Sequence, residues 1–268
     1  MTIIDDYLEL QETYSSKYGE NTIVLMQIGH FYEAYGVDND IEKSNAENIY
    51  RLSDILNIQL TRKNKSIIQN SRGNPLMIGV NQLSIDKYIT LLLNCNYTTI
   101  IIDQVTEPPD PKRKVTGIFS PGTNVLHNNK GDSNNLACIY INIFSDLKKY
   151  RDVMTVGIST VDLSTGKSTI FETYSDTNDL NLALDETFRF IQTFDPRELL
   201  VLINDETANS NSKLSDDYIY NYLDLGNRVV HFNREMDKKL FKNSYQTDFL
   251  RKIFPKHGLL SIFEYLNL

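Results

Sequence analysis

Three prolines within four residues, from Pro108 to Pro111, constrain the folding of this chain more than any other feature. Proline has a fixed φ and no backbone N–H, so such a stretch continues neither a helix nor a central strand. The chain has 268 residues, which is long for one average domain. We therefore predict two domains with separate cores, and we place their boundary at residue 110.

Helical and strand periodicities alternate on both sides of this boundary, which predicts an α/β protein. Helices are predicted at residues 4–18, 41–56, 85–92 and 184–191. Strands are predicted at residues 22–28, 31–35, 58–61, 76–80, 97–105, 115–119, 136–144, 153–160 and 199–203.

Charge argues against a chain that coats DNA. The formal net charge is −8, whereas such proteins gain affinity by neutralising phosphates with clustered Lys and Arg. Basic residues nevertheless concentrate locally, at 112–114 and at Arg51, Arg62, Lys63, Lys65 and Arg72. For both clusters, a solvated surface and a contact with DNA phosphates remain equal alternatives.

The two cysteines, Cys95 and Cys138, lie far apart in apolar neighbourhoods, and we expect both to be small buried residues. No Cys-x-x-Cys pair indicates a zinc or redox site. The N-terminus lacks a basic region followed by an apolar run, and no apolar stretch approaches membrane-spanning length. We therefore expect an intracellular protein of a reducing compartment, neither secreted nor bound to a membrane.

The stretch from Gly29 to Tyr35 carries the most informative functional pattern. Gly29 interrupts a strand in the way that marks a bulge or a close backbone approach. Side chains two apart on a strand share a face, so Phe31 and Glu33 are predicted on the same side. Phenylalanine can wedge between base steps, and a carboxylate can hydrogen-bond a base edge. Taken alone, the stretch fits a core aromatic beside a surface acid better.

The triplet Gly166-Lys167-Ser168 ends like a phosphate-binding P-loop. However, Val161 stands where that motif requires glycine, and a strand follows instead of a helix. We therefore predict a plain hairpin at residues 160–171.

A metal-dependent nuclease of RNase H-like fold remains an alternative, because carboxylates at strand ends can gather Mg²⁺. Asp162 and Glu172 lie near the predicted hairpin, and Asp185 or Glu186 could supply a third carboxylate. Acids beside a turn are more often simply solvated. The four histidines show no metal-ligand spacing, and we predict neither a catalytic nor a metal-binding set.

Several short segments follow one another in the order of a known protein family. Gly29–Glu33 matches the pattern G-x-F-Y-E, and Leu60–Lys63 matches L-T-[KR]-[KR]. Further matches follow at Pro75–Val80, Asp103–Pro108, Arg113–Val115, Ser120–Thr123, Asp162–Gly166 and Asp195–Leu200. In this order they resemble the MutS family of DNA mismatch repair proteins, from the first helix to about Ile203.

The resemblance implies a mixed-sheet mismatch-recognition domain at residues 1–110, followed by an RNase H-like connector domain with a largely parallel sheet at 111–250. Residues 251–268 would begin a core or lever domain that is truncated at Leu268. The connector domain is not catalytic in this family, which weakens the nuclease alternative.

The resemblance also implies a DNA site centred on two residues. Phe31 would stack on a mispaired base, and Glu33 would bond to the edge of that base. Contacts with the DNA backbone and accessory contacts would come from His30, Tyr32, Arg62, Lys63, Lys65 and Met77.

The implied ligand is double-stranded DNA with mismatches or small loops, bound by a homodimer, and a MutL-like partner would bind the connector domain. ATP and Mg²⁺ would serve an ATPase domain beyond residue 268, whereas this chain would need no cofactor and catalyse no reaction. A MutS-like scaffold without mismatch discrimination remains an alternative. The wedge variant is similar to the branch of giant viruses and octocoral mitochondria, which implies the nucleus, the cytoplasm or a viral factory, or the mitochondrion.

Three segments depart from the family pattern. His30 replaces a small or acidic residue and would add a phosphate or base contact that strengthens at low pH, unless it is merely solvated. Ala34-Tyr35 replaces a leucine and phenylalanine pair, and neither this departure nor the one at His30 alters Phe31 or Glu33 themselves. Asn81–Leu83 replaces Pro-Tyr-His, which puts backbone contacts from that loop in doubt.

Overall fold

A computed structural model describes residues 2–106, 109, 111–124, 133–146, 151–207, 214–226 and 228–253. The chain divides into two units, Met1–Gly131 and Asp132–Leu268. Both units are mixed α/β with mixed sheets, which confirms the predicted fold class. Residues 254–268, which hold most of the predicted third domain, lie outside the described residues.

The first unit contains a seven-stranded sheet of order β4-β5-β2-β1-β6-β7, with β3 paired to β2. Its helices are α1 (Ile3–Tyr18), α2 (Ala46–Leu56) and α3 (Ile85–Asn94). Its strands are β1 (Thr22–Ile28), β2 (Phe31–Asp38), β3 (Lys43–Ser44), β4 (Thr61–Arg62), β5 (Leu76–Asn81), β6 (Thr98–Gln104) and β7 (Arg113–Phe119). Only the pair β1 and β6 is parallel among the neighbouring strands described here.

Helix α1 is fixed to the sheet by a buried glutamine. A capping box starts the helix: Thr2 Oγ1 accepts from Asp5 N, and the Asp5 carboxylate accepts from Thr2 N. Gln11 then donates to Thr22 O over 2.7 Å and accepts from Val24 N over 2.8 Å. These bonds satisfy polar groups that the contact buries, so α1 holds the strand that precedes the Gly29 motif.

The boundary between the units differs from the predicted one. Strand β7 pairs antiparallel with β6, so residues 113–119 belong to the first unit rather than to the second. Val105 N donates to Lys112 O over 2.8 Å, so residues 105–112 connect two neighbouring strands of one sheet. A loop between antiparallel strands accommodates prolines as well as an interdomain linker does, and the division falls later, after Gly131.

The second unit contains a five-stranded sheet of order β10-β9-β8-β11-β12. Its strands are β8 (Asn135–Asp146), β9 (Arg151–Asp162), β10 (Ser168–Tyr174), β11 (Glu198–Glu206) and β12 (Val229–Asn233). Its helices are α4 (Leu182–Phe194), α5 (Asp216–Tyr222) and α6 (Asn243–Ile253).

Strand directions in this second sheet agree with a largely parallel arrangement. Strand β9 is antiparallel to both β8 and β10, whereas β11 is parallel to both β8 and β12. Four of the five strands therefore run in the same direction, as expected for the connector domain that the resemblance implies. Buried residues of β8 and β11, such as Ile139 and Val201, share one hydrophobic core with Leu184 and Ile191 of α4.

Local hydrogen bonds explain where the predicted elements differ from the observed ones. Helix α2 begins at Ala46 instead of residue 41, because Asn39 Oδ1 accepts from Ile41 N and Glu42 N and closes a turn there. The strand predicted at 58–61 is reduced to Thr61–Arg62. Neither α5 nor β12 was predicted from the sequence pattern.

The cysteine prediction was wrong for Cys95, which is exposed just after the last turn of α3. Cys138 is partly buried, and burial raises the pKa of its thiol. Among the described helices, none combines the length and the apolarity needed to cross a membrane.

Candidate nucleic-acid interface

A two-residue turn, Gly29-His30, joins β1 to β2, with Ile28 and Phe31 paired across it. Gly29 has φ +60°, which glycine adopts without steric cost. Glycine at the first position of a two-residue turn suits a type II′ hairpin. The structure therefore replaces the predicted strand bulge with a hairpin turn, and Phe31 becomes the first residue of β2.

Two glutamines from neighbouring strands fix this turn. Gly29 N donates to Gln104 Oε1 over 2.8 Å, and Gln104 N donates to Gln27 Oε1 over 2.9 Å. Gln27 Nε2 in turn donates to Gly29 O over 3.1 Å. On the other side, Gln82 N donates to His30 O over 2.9 Å. The hairpin is thus hydrogen-bonded from both flanks by residues of its own unit.

Phe31 is exposed at the tip of this hairpin, with 46% of its surface accessible. Burying a phenylalanine stabilises a protein by roughly 1.5–3 kcal/mol relative to leaving it exposed. Asn81 of β5 and Ile28 of β1 pair with Phe31 but leave its ring accessible. The ring is therefore available to stack on another planar group, as the wedge prediction requires, and its contact with a base stays a prediction.

Glu33 lies on the same face of β2 as Phe31 and is partly exposed. It pairs with Gly79 of β5, and a Cβ atom at Gly79 would meet Glu33 Cγ at 3.6 Å. The glycine thus leaves room beside the glutamate side chain.

Tyr35, one of the residues that depart from the family pattern, contacts Glu33. Its hydroxyl donates a hydrogen bond to Glu33 Oε2. The two residues are two apart on β2, so their side chains share a face and can meet. Burial first, and then the Glu33 carboxylate, raise the pKa of the Tyr35 hydroxyl, which therefore stays protonated and acts as the donor.

Tyr32 does not fit the accessory DNA contact predicted for it. Its side chain is buried on the opposite face of β2 from Phe31, because side chains alternate along a strand. Its hydroxyl donates to Asp103 Oδ1 over 2.5 Å, and burial followed by this bond raises the pKa of the hydroxyl. Asp103 Oδ2 also accepts from Thr116 Oγ1 over 2.7 Å. Tyr32 therefore supports the hairpin from inside the unit.

The remaining accessory residues occupy different places. His30 is exposed within the turn itself. Met77 of β5 is partly buried, pairs with Tyr35 and packs against the core of the first unit. For both residues, a contact with DNA stays a prediction.

A loop between β4 and β5 carries Lys63 and Lys65, two of the residues predicted to contact the DNA backbone. Buried Asn74 organises it by donating to Ile67 O and Gln69 O over 3.1 and 3.0 Å. Arg62 Nη1 donates to a backbone oxygen of the same loop, that of residue 68, over 2.7 Å. Lys63 and Lys65 are exposed, and neither forms an ion pair within the part of the chain that the structure describes.

The other arginines of the predicted basic cluster are neutralised by acids of the same unit. Arg51 is paired with Glu47 one turn earlier on α2. Arg72 is paired with Asp5 at 3.1 Å and with Glu42 at 2.8 Å. Hydrogen bonds from Thr2, and then from Arg72, lower the pKa of Asp5 to about 2. Within the described part of the chain, the cations of this cluster that no acid pairs with are therefore Arg62, Lys63 and Lys65.

Two exposed apolar side chains beside the turn were not predicted. Leu83 is 95% exposed, and its N–H donates to Asn81 Oδ1 over 2.9 Å in the short helix that follows β5. Val105 is exposed directly after Gln104. The sequence did contain a signal for Leu83: it is a leucine in a polar loop, two residues after the strand that pairs with Phe31.

In the second unit, the hairpin predicted at residues 160–171 is confirmed by the pairing of β9 with β10. Asp162 closes its turn: its carboxylate accepts from Asn134 N and Ser164 N at 3.0 Å and from Thr165 Oγ1 at 2.7 Å. These bonds, that of Thr165 foremost, lower the pKa of Asp162. Gly166 has φ +74° within the turn.

The carboxylates proposed for a nuclease have separate partners. Asp162 serves the turn, Asp185 accepts from Tyr222 Oη over 2.7 Å, and Glu186 is paired with Arg189. Across the described residues, no three His, Cys, Asp or Glu side chains are grouped so that they could hold a metal ion. The nuclease alternative thus lacks the convergent set that it requires.

Comparison with known proteins places the chain in a family. The family model of MutS domain I matches residues 3–128. A putative DNA mismatch repair protein mutS homolog of Acanthamoeba polyphaga mimivirus is 32% identical over 97% of this chain and 24% of its own length. This chain belongs to the MutS family. The domain I match ends close to the division after Gly131, so it includes β7.

Bacterial relatives agree with this assignment. The DNA mismatch repair protein MutS of Thermodesulfovibrio yellowstonii is 29% identical over 82% of this chain and 22% of its own length. That of Fusobacterium nucleatum is 30% identical over 63% of this chain and 17% of its own length. The MutS-family chain described here thus spans less than a quarter of the length of these three relatives.

A solved structure also matches, the family B DNA polymerase of the archaeon Pyrobaculum calidifontis. The match covers 73% of this chain and 30% of the polymerase chain, at 13% sequence identity. Its TM-score of 0.22 is too low to inform the fold.

Proposed function

We propose that this chain is the DNA-reading part of a mismatch repair protein, and that it binds double-stranded DNA with mismatches or small loops. The single observation that carries the proposal is the exposed Phe31 on a hydrogen-bonded hairpin, with the Glu33 carboxylate on the same face. Membership of the MutS family supports it, since the relatives are named DNA mismatch repair proteins.

Recognition rests on deformability rather than on sequence. A mispaired step is easier to unstack and kink than a matched step, so a protein that bends DNA from the minor groove prefers mismatches. Phe31 enters the weakened step and stacks on the mispaired base, while Glu33 bonds to the edge of that base. Because the hairpin is already fixed by Gln27 and Gln104, little ordering is needed when DNA binds.

Lys63 and Lys65 supply a local attraction for DNA on a chain that is acidic overall. Exposed charges are screened beyond a Debye length of about 8 Å at physiological ionic strength, so nearby lysines outweigh a distant net charge of −8. They hold the phosphate backbone and set register, with Arg62 stabilising the loop that carries them.

We extend this proposal to the full-length protein. It clamps DNA as a homodimer, uses ATP and Mg²⁺ in a domain outside these residues, and offers its connector domain to a MutL-like partner within a reducing compartment. No reaction is assigned to residues 1–268.

The test is the Phe31→Ala substitution in the full-length protein, with binding to mismatched and matched duplexes compared at one salt concentration. Affinity for the mismatch should fall about tenfold or more, because stacking of a base on an aromatic side chain contributes roughly 1–3 kcal/mol. Affinity for the matched duplex should stay nearly constant.

Ile41→Ala is the matched control, since Ile41 is an exposed apolar residue, 98% accessible, in another loop of the same unit. Equal losses on both duplexes would contradict the wedge assignment. A wild-type protein that does not distinguish the duplexes would favour the scaffold alternative, and Mg²⁺-dependent cleavage lost on Asp162→Asn would favour the nuclease.

A further inference from the structure

The ring of Tyr35 is held rigidly beneath the DNA-facing side of β2. Only 2% of its surface is accessible. The ring of Tyr7 from α1 packs edge-on against it, with centroids 5.1 Å apart. The backbone oxygen of Tyr35 accepts a hydrogen bond from Asn45 Nδ2 over 2.8 Å. Since both ring and backbone are fixed, the position of the Tyr35 hydroxyl is fixed as well.

The Tyr35 hydroxyl acts as a hydrogen-bond donor to Glu33. It is buried beside a carboxylate and stays protonated, so it donates and Glu33 accepts. The bond occupies Oε2 of Glu33 and leaves Oε1 without a partner among the contacts of the described residues. Gly79, which pairs with Glu33 on β5, has no side chain and so cannot fix the direction of the Glu33 side chain.

We propose that Tyr35 is a positioning residue for mismatch recognition, whose hydroxyl holds one oxygen of Glu33 and presents the other to the base stacked on Phe31. The proposal rests on the proposed function, because it assumes that Glu33 meets a base. A glutamate on an open strand face otherwise samples several rotamers, and ordering it would weaken binding. With one Glu33 oxygen accepting from the hydroxyl, the other oxygen can accept from a base edge that carries an N–H donor.

The experiment is a double-mutant cycle in the full-length protein. Affinities for a duplex with one unpaired thymine and for a matched duplex are measured for the wild type, Tyr35→Phe, Glu33→Ala and the double variant. Tyr35→Phe should reduce the preference for the unpaired thymine at least about threefold, and it should have no further effect when Glu33 is already alanine.

Tyr50→Phe is the matched control. Tyr50 also donates to a carboxylate of β2, that of Asp38, over 3.0 Å, but at the opposite end of the strand from Phe31. Removing its hydroxyl should leave the preference for the unpaired thymine unchanged.

Folding does not obscure the result. Tyr35→Phe keeps the buried ring and removes one oxygen, and the thermal midpoint of each variant is measured alongside. As a second variant, Glu33→Asp keeps the charge but withdraws it from the hydroxyl, and it should show a similar loss with Tyr35 intact.

The outcomes separate this proposal from the proposed function. If Tyr35→Phe leaves the preference intact while Phe31→Ala abolishes it, the positioning role is overturned and the wedge stands. If Tyr35→Phe weakens binding equally with and without the Glu33 side chain, Tyr35 acts through core packing and the positioning role is again overturned. If Phe31→Ala has no selective effect, the proposed function itself fails.

Discussion

Each unit contains a hairpin with a glycine at positive φ and a carboxylate nearby, and the two hairpins use these residues differently. At the second-unit turn, Asp162 accepts two hydrogen bonds from the turn, from Ser164 N and Thr165 Oγ1, and a third from Asn134 N just before β8. Gly166 lies in this turn at φ +74°. At the first-unit turn, Gly29 at φ +60° is fixed by glutamines instead, and Glu33 stands further along the strand with an unoccupied oxygen.

The difference shows what separates a structural carboxylate from a candidate binding one. In the second hairpin, hydrogen bonds that hold the turn occupy the Asp162 carboxylate. In the first hairpin, glutamine side chains satisfy the turn, so the carboxylate and Phe31 are left for an external ligand. The hydrogen-bond partners of a carboxylate therefore indicate whether it is structural or available for binding better than its sequence motif does.

Replacing the two turn glycines tests this comparison with the largest expected effect. A Cβ atom meets nothing within 4 Å at Gly29 or Gly166, so alanine at either position introduces only backbone strain. Each substitution should destabilise its unit by about 1–2 kcal/mol in denaturant unfolding. Only Gly29→Ala should also reduce the affinity for a mismatched duplex, because it alone shifts Phe31. A comparable loss of affinity in Gly166→Ala would erase the distinction.

Charge removal gives a smaller and more general effect. The double substitution of Lys63 and Lys65 by Gln should weaken binding to matched and mismatched duplexes alike. The slope of log affinity against log salt should fall by about one for each phosphate that is no longer neutralised. Lys167→Gln in the exposed turn of the second hairpin is the matched control and should leave the slope unchanged. A loss of affinity for the mismatched duplex alone would instead indicate that these lysines contact the mispaired base.

The smallest expected effect concerns stability against pH. The turn lowers the pKa of Asp162 below its ordinary value of 3.8, so the carboxylate stabilises the fold above that value. This contribution is lost as the pH falls through the lowered pKa. Asp162→Asn should therefore reduce the thermal midpoint at neutral pH, and the gap to wild type should close in acid. Glu33→Gln removes a carboxylate that accepts no bond from a turn, and it should leave the midpoint at neutral pH nearly unchanged. A drop equal to that of Asp162→Asn would make both carboxylates structural.

Periodicity predicted most of the helices and strands, because their apolar residues recur at the spacing that burial requires. It did not predict that β7 belongs to the first sheet, since pairing across the proline loop depends on contacts between β6 and β7 rather than on local pattern. The same limit explains β12, whose partner β11 lies outside its own segment.

Two features of the candidate site were accessible from alternation along β2. If Phe31 and Glu33 point outward, Tyr32 must point inward and Tyr35 must share a face with Glu33. The structure places both tyrosines accordingly. The support from Gln27 and Gln104 could not be predicted, because it joins residues far apart in sequence.

That support has a mechanical consequence. DNA that is kinked by an inserted side chain pushes back on it with an elastic force. A probe on an unsupported loop would yield to this force and let the duplex straighten. If Phe31 is inserted as we propose, the force on it passes through Gln27 and Gln104 into the parallel strands β1 and β6 and is shared by the sheet. In the proposed complex the hairpin would therefore be the stiff element and the DNA the compliant one.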